Sequence, residues 1–200
     1  MKVLDKDFWT SRYASNETGW DTGAITTPLR EYIDQLSNKK LKILIPGMGN
    51  GYEPEYLHDR GFNHVEILDI SILPINNFLR RCPSFPEKNI HHFNFFDFKG
   101  TYDIIIEQTF FCALDPLLRA DYAKHMHRLL RKGGKLVGVL FDFPLTEEGP
   151  PFGGSIDEYL KYFEPYFIIK KLERCYNSIE QRSGREVFMI LEKQDQEESI

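Results

Sequence analysis

The sequence predicts an α/β fold: a single doubly wound, mostly parallel seven-stranded sheet with one antiparallel C-terminal strand and helices on both faces. Three observations carry that expectation. Short apolar runs alternate with segments of helical period from about residue 41 to residue 163, and alternation of strand and helix implies parallel strands joined by helical crossovers. The first of these runs breaks into glycines at 47, 49 and 51 before a helical pattern resumes, the strand–turn–helix start of such folds. The last two apolar runs flank Arg182-Ser183-Gly184-Arg185, which reads as a hairpin and supplies the antiparallel strand.

In chain order, residues 5–28 collect aromatics and turn formers: Phe8, Trp9, Tyr13, Thr18, Gly19, Trp20, Asp21, Gly23 and Pro28. They predict a short helix over 5–13 and then a loop. Both tryptophans lie here, outside the repeating pattern, where they can simply cap one end of the core. Pro28 opens an amphipathic helix through Leu36, with Leu29, Tyr32, Ile33 and Leu36 on one face. Strand one is Leu41–Pro46. A helix from Tyr52 to Arg60 is stopped by Gly61. Strand two is Val65–Ile70, followed by a helix over Ile72–Arg81 that Pro83 ends. Strand three is Ile90–Phe95 and strand four Tyr102–Glu107. A long helix covers Leu117–Leu130 and ends at the turn Lys132-Gly133-Gly134. Strand five is Leu136–Phe141, a shorter helix spans Ser155–Phe163, and the hairpin strands are Phe167–Tyr176 and Val187–Leu191. The polar, acidic tail Gln194–Ile200 reads as frayed.

Bulk properties narrow the function. Two hundred residues with 42% hydrophobic and 14% aromatic content suit one domain, 1–200, with a sizeable core. Basic residues number 25 against 30 acidic, for a net charge of −5. No run of Lys or Arg stands out, so nucleic acid and anionic membranes find no electrostatic footprint. The N-terminus has no apolar signal core, and the longest apolar runs fall short of the roughly 18 residues that cross a bilayer. Three scattered cysteines, Cys82, Cys112 and Cys175, argue against a disulfide framework and point to a reducing cytosol. The expected partner is a small molecule, taken up by a monomer or weak dimer.

The glycine loop and the acid that follows it describe a nucleotide-type pocket. Glycines admit a ligand close to the backbone, and a helix N-terminus offers free N–H groups. The spacing is G-x-G-x-G, whereas a dinucleotide fingerprint is G-x-G-x-x-G. Position 52 is Tyr, so the pyrophosphate fit fails by one residue and a ligand without phosphates fits better. Asp69 ends strand two, where a buried acid needs a partner. It either grips ribose hydroxyls or caps the next helix. At the end of strand three, Phe96 and Phe98 are placed to sandwich a purine and Asp97 to accept from its amine. The strand-four end, Glu107 to Pro116, is expected to line the boundary between cofactor and substrate. Cys112 has no His partner nearby and reads as a buried apolar residue. His91 and His92 face opposite sides of their strand, and His125 and His127 diverge on a helix, so no metal site is expected.

These residues resemble the thiopurine S-methyltransferase family, in particular its bacterial and plant halide/thiol methyltransferase branch. The resemblance covers nearly the whole chain. It rests on Phe8-Trp9, Arg12-Tyr13 and Thr18-Gly19-Trp20-Asp21-Thr22-Gly23, then Leu44-Ile45-Pro46-Gly47-Met48-Gly49-Asn50-Gly51 and Leu68-Asp69-Ile70-Ser71. Further matches are Phe96-Asp97-Phe98, Thr109-Phe110-Phe111-Cys112-Ala113-Leu114-Asp115-Pro116, Arg119 and Gly149-Pro150-Pro151-Phe152. It implies a Rossmann-like class I methyltransferase fold, S-adenosylmethionine as methyl donor, and a small soft nucleophile as acceptor: a thiol, bisulfide, thiocyanate, halide or thiopurine-like compound. Residues 1–28 then form an aromatic lid. Cofactor contacts are implied at Trp9, Tyr13, Trp20, Gly47, Gly49, Asp69, Asp97, Phe98 and Gln108, and acceptor contacts at Tyr13, Trp20, Gln108, Phe111 and Tyr122. Tyr13 and Gln108 depart from relatives, which leaves acceptor identity open. A soft nucleophile is already partly anionic near neutrality, so no catalytic side chain is expected and the mechanism is one of positioning. Methylation of an oxygen or nitrogen, a non-catalytic S-adenosylmethionine-binding regulator, and a nicotinamide oxidoreductase are the competing readings.

Overall fold

The computed structural model describes residues 3–195. Seven strands form one sheet in the order β3-β2-β1-β4-β5-β7-β6. The chain packs as two compact units, one up to Phe98 and one from Lys99 onward.

The first unit opens with α1 (Lys6–Ala14), whose N-terminus Asp5 caps by accepting from Phe8 N at 2.9 Å. Pro at the first turn starts α2 (Thr27–Asp34). Then come β1 (Ile43–Pro46), α3 (Tyr52–Asp59), β2 (Val65–Asp69), α4 (Ile72–Arg81) and β3 (Ile90–His92). β1 pairs in parallel with β2, and β2 with β3. All four residues of β1 are buried, as expected for a parallel strand covered on both faces. Strand three is shorter than predicted. Asn94 turns its side chain back to accept from Phe96 N at 3.0 Å, and that local bond ends the ladder in a 3-10 turn over Phe95–Asp97.

The second unit contains β4 (Tyr102–Gln108), α5 (Arg119–Leu129), β5 (Leu130–Phe141), α6 (Ile156–Phe163), β6 (Phe167–Arg174) and β7 (Glu186–Lys193). β4 and β5 are parallel, and β7 runs antiparallel to both β5 and β6. The predicted hairpin is therefore the β6–β7 pair. The Lys132-Gly133-Gly134 turn lies inside the bounds of β5, as an irregularity between the Tyr102–Leu130 and Ile104–Lys135 pairs. α5 starts two residues later than predicted because Asp115 caps a 3-10 turn over Pro116–Leu118, accepting from Leu117 N at 2.9 Å.

Of the predicted frayed tail, residues 196–200 lie outside the described residues. Gln194 is tied, its N–H donating to Tyr166 O at 3.1 Å. Among the described residues no helix is long and apolar enough to cross a membrane.

Candidate active site

In the first unit the glycine turn and the end of β2 meet at one carboxylate. Asp69 is 8% exposed. Its Oδ2 accepts from Gly49 N at 3.2 Å and its Oδ1 from Ser71 N at 2.8 Å. Burial pushes the carboxyl up to about 6, against the backbone N–H groups of Ser71, Gly49 and Ile70, which pull it down. The helix-capping role falls instead to Ser71, whose Oγ accepts from Leu73 N at 3.4 Å. An ionised carboxylate offers about four lone-pair sites, so Asp69 keeps capacity for hydroxyl donors of a ligand.

The turn itself is built for close approach. Gly47, Gly49 and Gly51 all have positive φ. At Gly51 (φ 73°) an added Cβ would sit 2.5 Å from Met48 Cε and 2.8 Å from Phe78 Cδ2, so this glycine is required twice, by backbone and by packing. At Gly49 an added Cβ would lie 3.2 Å from the Tyr13 hydroxyl, which places Tyr13 directly on the loop.

Tyr13 belongs to an aromatic cluster with the two tryptophans. Trp20 meets Tyr13 at 5.7 Å and Trp9 at 5.5 Å, both edge-on, and Phe8 extends the set to Trp9 at 5.1 Å. The Tyr13 phenol is pushed up by burial and by the Asp69 charge, while a hydrogen bond with Trp20 pulls it down. The tryptophans thus stand beside the glycine turn rather than only capping the core. Side chains pin the segment there. Asn50 donates through Nδ2 to Asp21 Oδ2 and accepts at Oδ1 from Asn77 Nδ2 at 3.0 Å. Tyr52 also hydrogen-bonds Asp21, and Thr10 Oγ1 lies 3.0 Å from Ser71 Oγ. Arg81 holds the loop carbonyl of Asn50 at 2.5 Å while paired with Glu55 at 2.8 Å. The sequence gives no role to Asn50 or to this use of Asp21. They are 29 residues apart, and only a shared turn brings them together.

Asp97 is exposed in the 3-10 turn after β3, and Phe98 is buried, with its ring 4.8 Å from His91 and 6.3 Å from Phe93. Phe96 packs edge-on against Phe95 at 5.1 Å.

In the second unit, Gln108 ends β4 and is half-buried. Its neighbour Glu107, expected from the sequence only as the start of the segment lining the boundary between cofactor and substrate, is fully buried. Glu107 Oε1 accepts from Phe110 N at 2.7 Å and from Phe111 N at 3.0 Å, and Oε2 accepts from the Tyr122 hydroxyl at 2.5 Å. Burial lifts its carboxyl to about 7, opposed by those three donors. Between them Thr109 holds φ 58°, a backbone that costs a β-branched residue about 1–3 kcal/mol and persists only where its surroundings over-determine it.

Phe111 and Tyr122 are placed differently from the expectation that they contact the acceptor. Both are at most 1% exposed. The Tyr122 hydroxyl donates to Glu107, and Phe111 is enclosed by Tyr122 at 5.0 Å, Tyr159 at 5.7 Å, Phe163 at 5.8 Å and the Arg119 guanidinium at 4.7 Å. An aromatic side chain beside a helix finds more apolar surface inward than at a rim. Arg119 is itself buried, bonded to Glu158 Oε1 at 2.6 Å and to Gly153 O at 2.7 Å. Cys112 donates to Thr109 O at 3.3 Å, and burial raises its thiol well above the ordinary range. It is held as a thiol, not as a thiolate nucleophile.

Comparison with known proteins gives the family of the chain. The family model described as thiopurine S-methyltransferase matches residues 4–197. A probable thiol methyltransferase 2 from Arabidopsis thaliana is 30% identical over 162 residues, covering 78% of this chain and 71% of the relative. Thiocyanate methyltransferase 1 from the same plant is 24% identical over 192 residues, covering 92% and 84%. Among solved structures, a Burkholderia thailandensis 1,6-didemethyltoxoflavin-N1-methyltransferase with bound S-adenosylhomocysteine superposes with a TM-score of 0.77 at 16% identity, covering 95% of this chain and 87% of that one. Its likeness is one of fold. The glycine turn, the buried acid after β2 and the match along almost the full chain lead to one conclusion: this chain belongs to the thiopurine S-methyltransferase family and is an S-adenosylmethionine-dependent methyltransferase.

Proposed function

We propose that this chain methylates a small soft nucleophile (a thiol, bisulfide, thiocyanate, halide or thiopurine-like compound) and that residues 1–200 work as one catalytic domain in the reducing cytosol. The three buried, free cysteines suit that compartment. When bound, S-adenosylmethionine supplies a methyl group on a positively charged sulfur. The residues around the glycine turn fit such a molecule. Asp69 would hold the ribose through the acceptor capacity that its backbone donors leave open, with Gly49 and Ser71 fixing its oxygens in place. Gly47 and Gly49 let the loop approach the amino-acid tail, while Asp97 and Phe98 border the adenine. Trp9, Tyr13 and Trp20 form the aromatic wall, which favours a cation over the ring faces by about 0.5–2 kcal/mol and keeps water out.

Candidate acceptor contacts, each taken within its own unit, are Tyr13 and Trp20 in the first unit and Gln108 in the second. Phe111 and Tyr122 act from behind, by supporting the loop that follows Gln108. The observation that carries the soft-nucleophile reading is the state of the groups near Gln108. Glu107 has its oxygens engaged by Phe110, Phe111 and Tyr122, and burial keeps the Tyr122 hydroxyl and the Cys112 thiol protonated. None of these groups is arranged to take a proton from an acceptor. Positioning two reactants in line supplies up to about 7–11 kcal/mol in good cases, so an acceptor that arrives already anionic requires no base.

Headspace gas chromatography with S-adenosylmethionine and a panel of iodide, bisulfide, thiocyanate and simple thiols tests the reading. Methyl iodide, methanethiol or methyl thiocyanate is the expected product. Folded protein that binds S-adenosylhomocysteine and yields none of these, while methylating an oxygen or nitrogen acceptor, replaces it.

A further inference from the structure

We infer that Glu107 is a positioning residue whose carboxylate clamps the loop Gln108–Phe111 into the shape that presents Gln108 to the acceptor. The inference rests on the acceptor role proposed above for Gln108. Glu107 sits at the end of a strand whose preceding residues, Ile104, Ile105 and Ile106, are all buried apolar side chains. An apolar residue would fill the same space, and a buried carboxylate is costly unless every oxygen is used. Here both are used, and two of the three donors are successive amides of the loop itself, at 2.7 and 3.0 Å. Those amides follow the last β4–β5 pair, Gln108 with Val139, and a backbone N–H leaving a ladder takes a new acceptor.

The clamp closes a short ring around Thr109 and holds it at φ 58°. The Thr109 carbonyl is engaged by the Cys112 thiol at 3.3 Å, and the Cys112 carbonyl by Phe152 N at 2.8 Å, so the far side of the loop is tied down too. From α5, Tyr122 fixes the free oxygen of Glu107. From β5, Gly138 makes room: it is the register partner of Glu107, and a Cβ there would lie 2.5 Å from Glu107 Cβ. The carboxylate therefore sets the backbone path of the residue next to it in sequence, and through that path the direction of Gln108.

The test combines hydrogen exchange at the Phe110 and Phe111 amides with acceptor kinetics at saturating S-adenosylmethionine, on the full chain. E107L removes both oxygens with little change of volume, and E107Q keeps one oxygen for the two amides. E107L is expected to speed exchange of both amides and to lower kcat/KM for the acceptor by about tenfold or more, as follows from leaving buried N–H groups unpaired. Its Kd for S-adenosylhomocysteine, measured by calorimetry, stays within about twofold, and E107Q restores both readouts to within about threefold of the natural chain. Y122F frees only one carboxylate oxygen and is expected to lose about threefold in acceptor kcat/KM; it decides the matter if E107L does not fold. Unchanged exchange and acceptor kinetics in E107L, or in Y122F where E107L is not recovered, overturn the clamp, as does damage in E107Q equal to that in E107L. If the natural chain methylates no soft nucleophile, the proposed function falls, while amide exchange still decides the clamp.

Discussion

Asp69 carries opposing pressures on one carboxyl: burial drives it toward the neutral acid, and three backbone N–H groups hold it toward the anion, leaving it near pH 6. Because that value lies above the 3.8 of an ordinary aspartate, the group favours the folded chain at low pH and loses that contribution as pH rises from about 4 to about 6. Ligand affinity runs the other way, since ribose hydroxyls donate to the ionised form. Calorimetric titration with S-adenosylhomocysteine should therefore show Kd rising as pH falls through about 6. In D69N the curve should be flat and weaker at neutral pH by about tenfold to a hundredfold, the loss of a charge-assisted hydrogen bond worth about 1.5–3 kcal/mol. A D69N variant with native affinity and native pH dependence would remove Asp69 from the site. This residue was legible in the sequence because an acid ending an apolar strand is conspicuous. Glu107 was not, because its partners are backbone amides and one tyrosine from a later helix, none of which leaves a pattern in the chain.

At the scale of elements, the N-terminal segment is held to the glycine turn by polar side chains, not by a helix buried in the core. α1 buries no residue fully, so its position depends on contacts such as Asp21–Asn50 and Thr10–Ser71. N50A, which removes the link between Asp21 and Asn77, is expected to speed S-adenosylhomocysteine release by about fivefold to thirtyfold in stopped-flow fluorescence, for one or two hydrogen bonds of about 1 kcal/mol each. Both tryptophans of the chain lie in this segment, so their emission reports the event directly; equal release rates in the two proteins would show that the link does not govern the segment. The turn makes a separate prediction. G51A forces a Cβ into contact with Met48 and Phe78 at a positive φ and should lower stability in urea unfolding by about 1–3 kcal/mol. The aromatic segment and the glycine turn were each visible in the sequence. Their junction was not, since Asp21, Asn50 and Asn77 are ordinary polar residues until the turn places them side by side.

For the whole molecule, the single-domain proposal predicts one cooperative transition by scanning calorimetry, although the chain packs as two compact units; two resolved transitions would divide it. A ligand of the native state moves that transition. S-adenosylhomocysteine at a hundred times its Kd adds about 2.7 kcal/mol, a rise of roughly 5–10 °C for a chain of this size, whereas NAD at the same concentration should leave the transition in place. The reverse outcome would return the nicotinamide reading. What the sequence by itself determined was the α/β class, the order of its strands and helices, the antiparallel last strand and the family, because these rest on local periodicity, turn residues and motifs that lie close together in the chain. Only the tertiary structure decided that Phe111 and Tyr122 turn inward, that Glu107 is saturated by the loop after it, and that Asp21 and Asn50 join two distant segments. Those outcomes depend on which buried polar atoms find partners, and such partners are chosen by proximity in space, which separation along the chain does not encode.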